Sequence, residues 1–400
     1  MTPKLLTKVE KGIMFKQRFL AFAASVLVSS SALSQANLIP AAPSVAASAY
    51  LLMDANSGQV LIEHNADERV PPASLTKLMT SYVLSYELER GEVSNDDMVT
   101  ISKNAWAQNP IFNGSSLMWI EVGKQVALHD LHKGVVISSG NDASVAVAEH
   151  VAGSEDAFAG IMNQHAGMLG MSNSHFVNSH GLPDPEHYTS ARDLALLAKA
   201  IIGFPQEYAL YSEKEFIFNG IRQSNRNGLL WSDPSVDGLK TGHTAEAGYC
   251  LVTSAKRDGM RLISVVMGAS GERARERETQ KLLSYGFRYF ETHHLYAAGS
   301  ELTRSKVWKG DSDTVILGVQ KDVYMTIPRG KSEALDAQLI VDEVLTAPIA
   351  ADEEYGELVV SLDGAEKVRV PLVALEAVEE GGIFKRLWDS IVLFFLNLVS

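Results

Sequence analysis

A single cysteine, Cys250, in 400 residues excludes an intramolecular disulfide and a cysteine-based metal cage. Basic charge is scarce as well: 35 Lys and Arg against 48 Asp and Glu give a formal net charge of −13. No basic excess is left to meet a phosphate backbone, which argues against a general nucleic-acid binder. His-Glu-x-x-His and comparable ligand spacings are absent, so His180 and His243 stand alone and metal catalysis is not expected. There is no convincing internal repeat and no long low-complexity tract. What remains is an ordinary globular composition, 46% hydrophobic and 21% charged, long enough for two or three domains.

Both ends of the chain read as addresses rather than as core. Lys16 and Arg18 precede an apolar, charge-free run from Phe19 to Leu33, too short for a comfortable membrane span. Ser34-Gln35-Ala36 then places small residues at the cleavage-determining positions. Residues 1–36 are therefore expected to be an export signal, with Met1 and Met14 both open as translation starts. An exported chain without a cysteine pair has to be held by its core. At the far end, Ile383, Phe384, Leu387, Trp388, Ile391, Val392, Phe395, Leu398 and Val399 recur at helical spacing along one broad face. Lys385, Arg386, Asp389, Ser390 and Asn397 fall mainly on the other. Charges so near the middle spoil a span, so residues 379–400 read as an amphipathic helix lying in a membrane surface.

Between these ends the pattern changes once. Residues 37–291 mix strand and helix signals. Tyr50–Met53 and Gln59–Ile62 flank Asn56-Ser57-Gly58, and Tyr249–Ala255 and Arg261–Met267 flank Asp258-Gly259, which predicts two hairpins. Asp193–Ile202 is apolar at Leu194, Leu197, Ala198 and Ile201 and predicts a helix. Strands at both ends with helices between suggest a mixed α/β fold, with one antiparallel sheet covered by helices. Over residues 292–378 short β-branched runs alternate with turn residues such as Pro328-Arg329-Gly330, and a small all-β accessory domain is expected.

Three short motifs carry the chemistry. Ser74-Leu75-Thr76-Lys77 opens a segment of helical character, so Ser74 is expected at a helix start, where free N–H groups favour negative charge. Lys77 follows one turn later on the same face. A serine hydroxyl needs a base, and a lysine serves only if burial or a neighbouring cation lowers its pKa. Lys240 is such a neighbour in prospect. Ser139-Gly140-Asn141 offers a hydroxyl and a carboxamide from a loop. Lys240-Thr241-Gly242 pairs a cation and a hydroxyl, suited to a carboxylate docked beside a strand edge. In isolation Ser74 and the Ser139 motif read more readily as helix caps, Lys77 as a solvated helix lysine and the Lys240 motif as a surface turn. In this order along one chain they form a serine acyl-transfer set.

With these motifs, and with Asn225-Arg226-Asn227-Gly228-Leu229-Leu230-Trp231, Asn178-Ser179-His180-Gly181-Leu182 and Val236 to Thr244, the chain resembles low-molecular-mass penicillin-binding proteins of the D-alanyl-D-alanine carboxypeptidase type. The resemblance implies a β-lactamase/transpeptidase-like catalytic domain, a five-stranded antiparallel sheet between helical layers. It implies that Ser74 attacks the penultimate D-alanine carbonyl of a peptidoglycan stem peptide ending in D-Ala-D-Ala, that Lys77 is the base, and that β-lactams acylate the same serine. Ser139 and Lys240 would relay a proton to the leaving D-alanine, while Asn141 would hold the substrate amide and Lys77. The N–H groups of Ser74 and His243 would form an oxyanion hole. Thr241 and Arg275 would take the terminal carboxylate, although Arg273 and Arg277 lie beside Arg275; Gly140, Gly242 and Arg226 complete the implied substrate-binding set. The implied location is the periplasmic, outer face of the cytoplasmic membrane. A D,D-endopeptidase, a serine β-lactamase and an inactive peptidoglycan-binding protein remain alternatives, the lactamase weakened because Glu186 is followed by His187-Tyr188-Thr189 rather than x-x-Leu-Asn.

Overall fold

The computed structural model describes residues 39–399, and the expected export signal at residues 1–36 lies outside them. The chain divides into two compact units, with the division between Phe290 and Glu291.

The first unit is built on five strands, numbered here in chain order: β1 (Ala49–Asp54), β2 (Val60–His64), β3 (Val236–Thr244), β4 (Gly248–Arg257) and β5 (Met260–Ala269). They lie side by side in the order β2-β1-β5-β4-β3, every pair antiparallel. Four helices matter for the site: α1 (Thr76–Arg90), α2 (Asn141–Ala152), α3 (Ala191–Ile202) and α4 (Glu272–Tyr289). Both expected hairpins and the expected helix over 193–202 are present. The strands alternate with a period of two, and both faces are buried. Leu51, Met53, Cys250, Val252, Ile263 and Val265 share one apolar cluster with Leu78 and Val83 of α1 and Leu194 and Leu197 of α3. Leu52, Leu251, Leu262 and Val266 point the other way and meet Leu282, Leu283 and Phe287 of α4. Each such leucine or isoleucine contributes about 1.5–3 kcal/mol when fully removed from water, which makes this sheet the anchor for whatever its edge presents. Cys250 sits in that core, and burial pushes its thiol up to about 11, so it is packing and not chemistry.

A third cluster, including Leu84, Phe112, Met118, Leu131, Val135 and Val145, builds a lobe around α2. The second unit is all-β apart from its last helix. Its main sheet runs in the order Leu335–Val341, Glu354–Leu362, Ala365–Ala374, Thr314–Gly318, Glu301–Trp308, Leu345–Thr346. Phe290–Tyr296 pairs with Val323–Pro328 in a second, two-stranded sheet. The chain then forms α5 (Ile383–Val399). The α5 polar side is tied down: Lys385 donates to Asp313 at 2.6 Å, and the Asp389 carboxylate accepts from the Lys309 N–H at 2.6 Å. Its apolar side is bare, with Phe384 91% and Trp388 67% exposed. Among the described residues no helix is long and apolar enough to cross a membrane.

Candidate active site

Ser74 lies in a single 3-10 turn, Ala73–Leu75, and α1 proper begins at Thr76. Pro72 precedes that turn, and Ala73 takes a left-handed φ of 50°, so the serine is offered on a tight corner rather than along a helix. Lys77 is one turn on, 1% exposed, and its Nζ lies 3.3 Å from Ser74 Oγ. The same nitrogen donates to Asn141 Oδ1 at 2.6 Å and to the His180 carbonyl at 2.6 Å. Burial, above all, pushes Lys77 down to about 7; the Asp142 carboxylate opposes the shift and Arg226 adds to it.

The His180 carbonyl reaches Lys77 because of Gly181. At φ 89° that glycine runs so close to the start of α1 that a Cβ would lie 1.9 Å from the Ala73 carbonyl oxygen. No other residue fits there. Around this loop buried histidines act as neutral connectors. Burial pushes His180 down to about 3, with Lys77 and His187 adding to the shift. Its Nδ1 accepts from the Leu182 N–H, leaving Nε2–H to face Glu155 at 3.4 Å. His187, pushed down to about 4 mainly by burial, accepts from the Val177 N–H at Nδ1 and donates from Nε2 to Thr76 Oγ at 2.7 Å. These contacts fix the loop to α1. Among the described residues no His, Cys, Asp and Glu group is suited to hold a metal ion.

Ser139 and Asn141 are brought to the opposite wall. A π-helical turn, Gly134–Ser138, ends with Ser139 at a left-handed φ of 62°, and α2 starts at Asn141. A non-glycine residue held in that region is strained, and such strain concentrates at functional positions. Ser139 Oγ is buried and has no hydrogen-bond partner among the described residues. Gly140 is packed against Met118 rather than facing the cleft; a Cβ there would lie 2.9 Å from the Met118 nitrogen.

Lys240, Thr241 and Gly242 lie on β3, the edge strand of the sheet, so one side of that backbone is not used in the ladder. Lys240 is 3% exposed and donates to the Thr241 carbonyl at 3.2 Å. Burial holds it well below its ordinary value, and Lys77, Arg226 and Arg275 reinforce the shift. Of the three neighbouring arginines of α4, Arg275 alone lines the cleft. Arg273 and Arg277 are exposed, whereas Arg275 is 3% exposed and contacts the carbonyls of Gly242 and Arg226 at 3.4 and 3.5 Å. Its Nε has no partner among the described residues, and burial lowers its pKa. His243 is exposed and packs against Tyr249, the rings tilted 31° with centroids 4.0 Å apart.

Ser74, Ser139, Asn141, His180, Arg226, Thr241, Gly242, His243 and Arg275 all line one cleft of about 380 Å³. Lys77 and Lys240 are buried and do not line it themselves, Lys77 reaching the cleft residue Ser74 at 3.3 Å. Residues that sequence reasoning did not single out line it too: Asn113 to Ser116, Tyr249 and Glu272. Nothing in the periodicity of residues 113–116 marks them; only the folded path of the loop does.

A serine beside a buried lysine of lowered pKa, on a helix-covered antiparallel sheet whose edge strand carries Lys-Thr-Gly, defines a serine acyl-transfer hydrolase. Comparison with known proteins gives the particular family. The family profile described as D-alanyl-D-alanine carboxypeptidase matches residues 36–271, and that of the penicillin-binding protein 5 C-terminal domain matches residues 290–380. The D-alanyl-D-alanine carboxypeptidase DacA of Escherichia coli (strain K12) is 49% identical over 362 residues, 90% of each chain. The crystal structure of penicillin-binding protein 5 from Haemophilus influenzae superposes with a TM-score of 0.80 at 46% identity, covering 84% of this chain and 99% of that one. Penicillin-binding protein D2 of Listeria monocytogenes, in its cefotaxime-bound form, matches with a TM-score of 0.56 at 31% identity, over 61% of this chain and 98% of its own. The chain belongs to the D-alanyl-D-alanine carboxypeptidase family and is a serine hydrolase.

Proposed function

We propose that this enzyme removes the terminal D-alanine from peptidoglycan stem peptides through an acyl-enzyme on Ser74. The observation that carries the reading is the wiring of Lys77. A neutral amine has two N–H bonds and one lone pair. Asn141 Oδ1 and the His180 carbonyl, each at 2.6 Å, take the two hydrogens. The lone pair is left for the Ser74 hydroxyl 3.3 Å away. With a pKa of about 7, Lys77 is neutral in a useful fraction of molecules at working pH.

Ser74 Oγ then bonds to the penultimate D-alanine carbonyl carbon as its proton passes to Lys77. The N–H groups of Ser74 and His243 hold the resulting oxyanion. The C–N bond breaks, and Ser139 with Lys240 deliver a proton to the departing amine. Thr241 and Arg275 hold the terminal carboxylate, and the arginine's unpartnered Nε and burial make it a strong anchor. Arg226, exposed at the cleft, adds positive charge to the same end. Water entering beside Lys77 hydrolyses the ester, and β-lactams, whose amide mimics the scissile bond, acylate Ser74 by the same steps. The Listeria relative's cefotaxime-bound form supports that last point.

The test is incubation of purified protein with a peptide ending in D-Ala-D-Ala and mass detection of products, beside a penicillin-hydrolysis assay. Release of one D-alanine with a long-lived penicilloyl adduct is expected. Rapid penicillin turnover without peptide cleavage would instead make it a lactamase.

The enzyme is further proposed to be exported through residues 1–36 and moored on the periplasmic face of the cytoplasmic membrane by α5. Support comes from the bare apolar side of that helix, opposite the Lys385 and Asp389 contacts. Deleting residues 381–400 is expected to move active enzyme from the membrane to the soluble fraction. If the truncated enzyme still sediments with membranes, the anchor lies elsewhere.

A further inference from the structure

Asp142, the residue after Ser139-Gly140-Asn141, is fully buried and spends its whole carboxylate on backbone. Oδ1 accepts from the Met118 N–H at 2.8 Å and from the Ala143 N–H at 2.9 Å. Oδ2 accepts from the Trp119 N–H at 2.8 Å and the Ile120 N–H at 3.2 Å. Three successive amides of one segment thus converge on a single side chain. That convergence curls the chain, and Trp119 sits at a left-handed φ of 71°, a conformation a bulky side chain rarely takes. The segment is held from two more directions: Asn141 donates its N–H to the Ser116 carbonyl at 2.8 Å, and Gln223 Nε2 donates to the Met118 carbonyl at 2.9 Å. Upstream of Met118, residues Asn113, Gly114, Ser115 and Ser116 line the cleft opposite the sheet edge.

We infer that Asp142 is a positioning residue for the reaction: it clamps residues 113–120 as the fixed wall that seats the bound substrate against Ser139 and Asn141. This rests on the acyl-transfer reading of the cleft. Gly140 shows how tight the clamp is, because a Cβ there would lie 2.8 Å from Asp142 Oδ1. The chemistry makes a sharp demand. Each carboxylate oxygen faces two N–H donors, so an amide fails in either orientation, since its NH2 would confront two hydrogens. An isosteric Asp142→Asn change should therefore release the wall without emptying any volume.

The experiment compares Asp142→Asn with Asp193→Asn. Asp193 is a second buried carboxylate, accepting from the Asn173 N–H at 2.8 Å and Ser174 Oγ at 2.7 Å, and it does not line the cleft. Both are read for melting temperature, for kcat and KM on a D-Ala-D-Ala peptide, and for the rate of penicillin acylation. Asp142→Asn is expected to lose about 10- to 100-fold in kcat/KM and in acylation, the scale of a small misplacement of reacting groups. Its pH midpoint should still report Lys77 but lie below the wild-type value, because the Asp142 charge that pulls the Lys77 pKa upward is gone. Asp193→Asn should melt earlier yet keep kcat/KM within about twofold. Equal kcat/KM losses in the two variants, or an Asp142→Asn enzyme within about twofold of wild type, would overturn the inference. If Asp142→Asn does not fold, hydrogen exchange on the wild-type chain decides. Slow exchange at Met118, Trp119 and Ile120 supports the clamp, and fast exchange there overturns it. Wild-type inactivity on the peptide and with penicillin would point to failure of the underlying functional reading instead.

Discussion

Ser74→Ala is expected to abolish peptide cleavage and covalent penicillin labelling together while leaving the protein folded. Removing the nucleophile of a serine hydrolase typically costs roughly four to six orders of magnitude in kcat, and nothing near Ser74 can replace its oxygen. Ser139 lines the same cleft and is a candidate by type, but its Oγ is buried at the end of a strained turn, and the Lys77 contact is with Ser74. Stability should change little. Ser74 is half-buried, and its hydroxyl has one partner, Lys77 Nζ at 3.3 Å, too long to be a strong bond. A thermal melt within about 0.5 kcal/mol of wild type, with no adduct by mass, is the expected pair of results. A variant that still acquires the penicilloyl mass places the nucleophile elsewhere.

How much of this was legible in the sequence depended on where each signal resides. The sheet was legible because both faces of its strands are buried and the hairpin turns carry Gly and Asn. The main catalytic motifs were legible as side-chain types at fixed spacing. What the chain cannot display is backbone chemistry. The His180 carbonyl that holds Lys77 contributes no side-chain pattern, and only the Gly181 geometry shows why it is there. Asp142 hides similarly, since its partners are four backbone amides, whose residues' apolar side chains give no sign of the contact. The choice among Arg273, Arg275 and Arg277 needed the phase of α4 on the sheet. In the second unit, strand Glu301–Trp308 escaped notice because only Val307 of its eight residues is fully buried, so its alternation is masked by exposed polar residues. Phe290–Tyr296 escaped for a related reason: only Phe290 of its seven residues is fully buried, and Glu291, Thr292, His293 and His294 interrupt its apolar pattern.

The second large effect concerns Lys77, and its sign follows from which protonation state works. Burial lowers the Lys77 pKa to about 7. In the proposed reaction the neutral form is the base, so the acylation rate should rise about tenfold per pH unit below that value and level off above it. The same depression has a consequence for folding. Between about pH 7 and the ordinary lysine value of 10.5, the unfolded chain binds a proton that the folded chain does not. The contribution of this group to stability therefore increases with pH across that window, and the burial penalty is felt in full below it. Lys77→Arg keeps a cation at the site but cannot supply a lone pair, because guanidinium stays protonated at any workable pH. It should lower acylation by about 10²- to 10⁴-fold and remove the inflection near pH 7 from the rate profile. A Lys77→Arg enzyme that still shows that inflection would transfer the base role to another group, with Lys240, held low by burial on the facing strand, the first to examine.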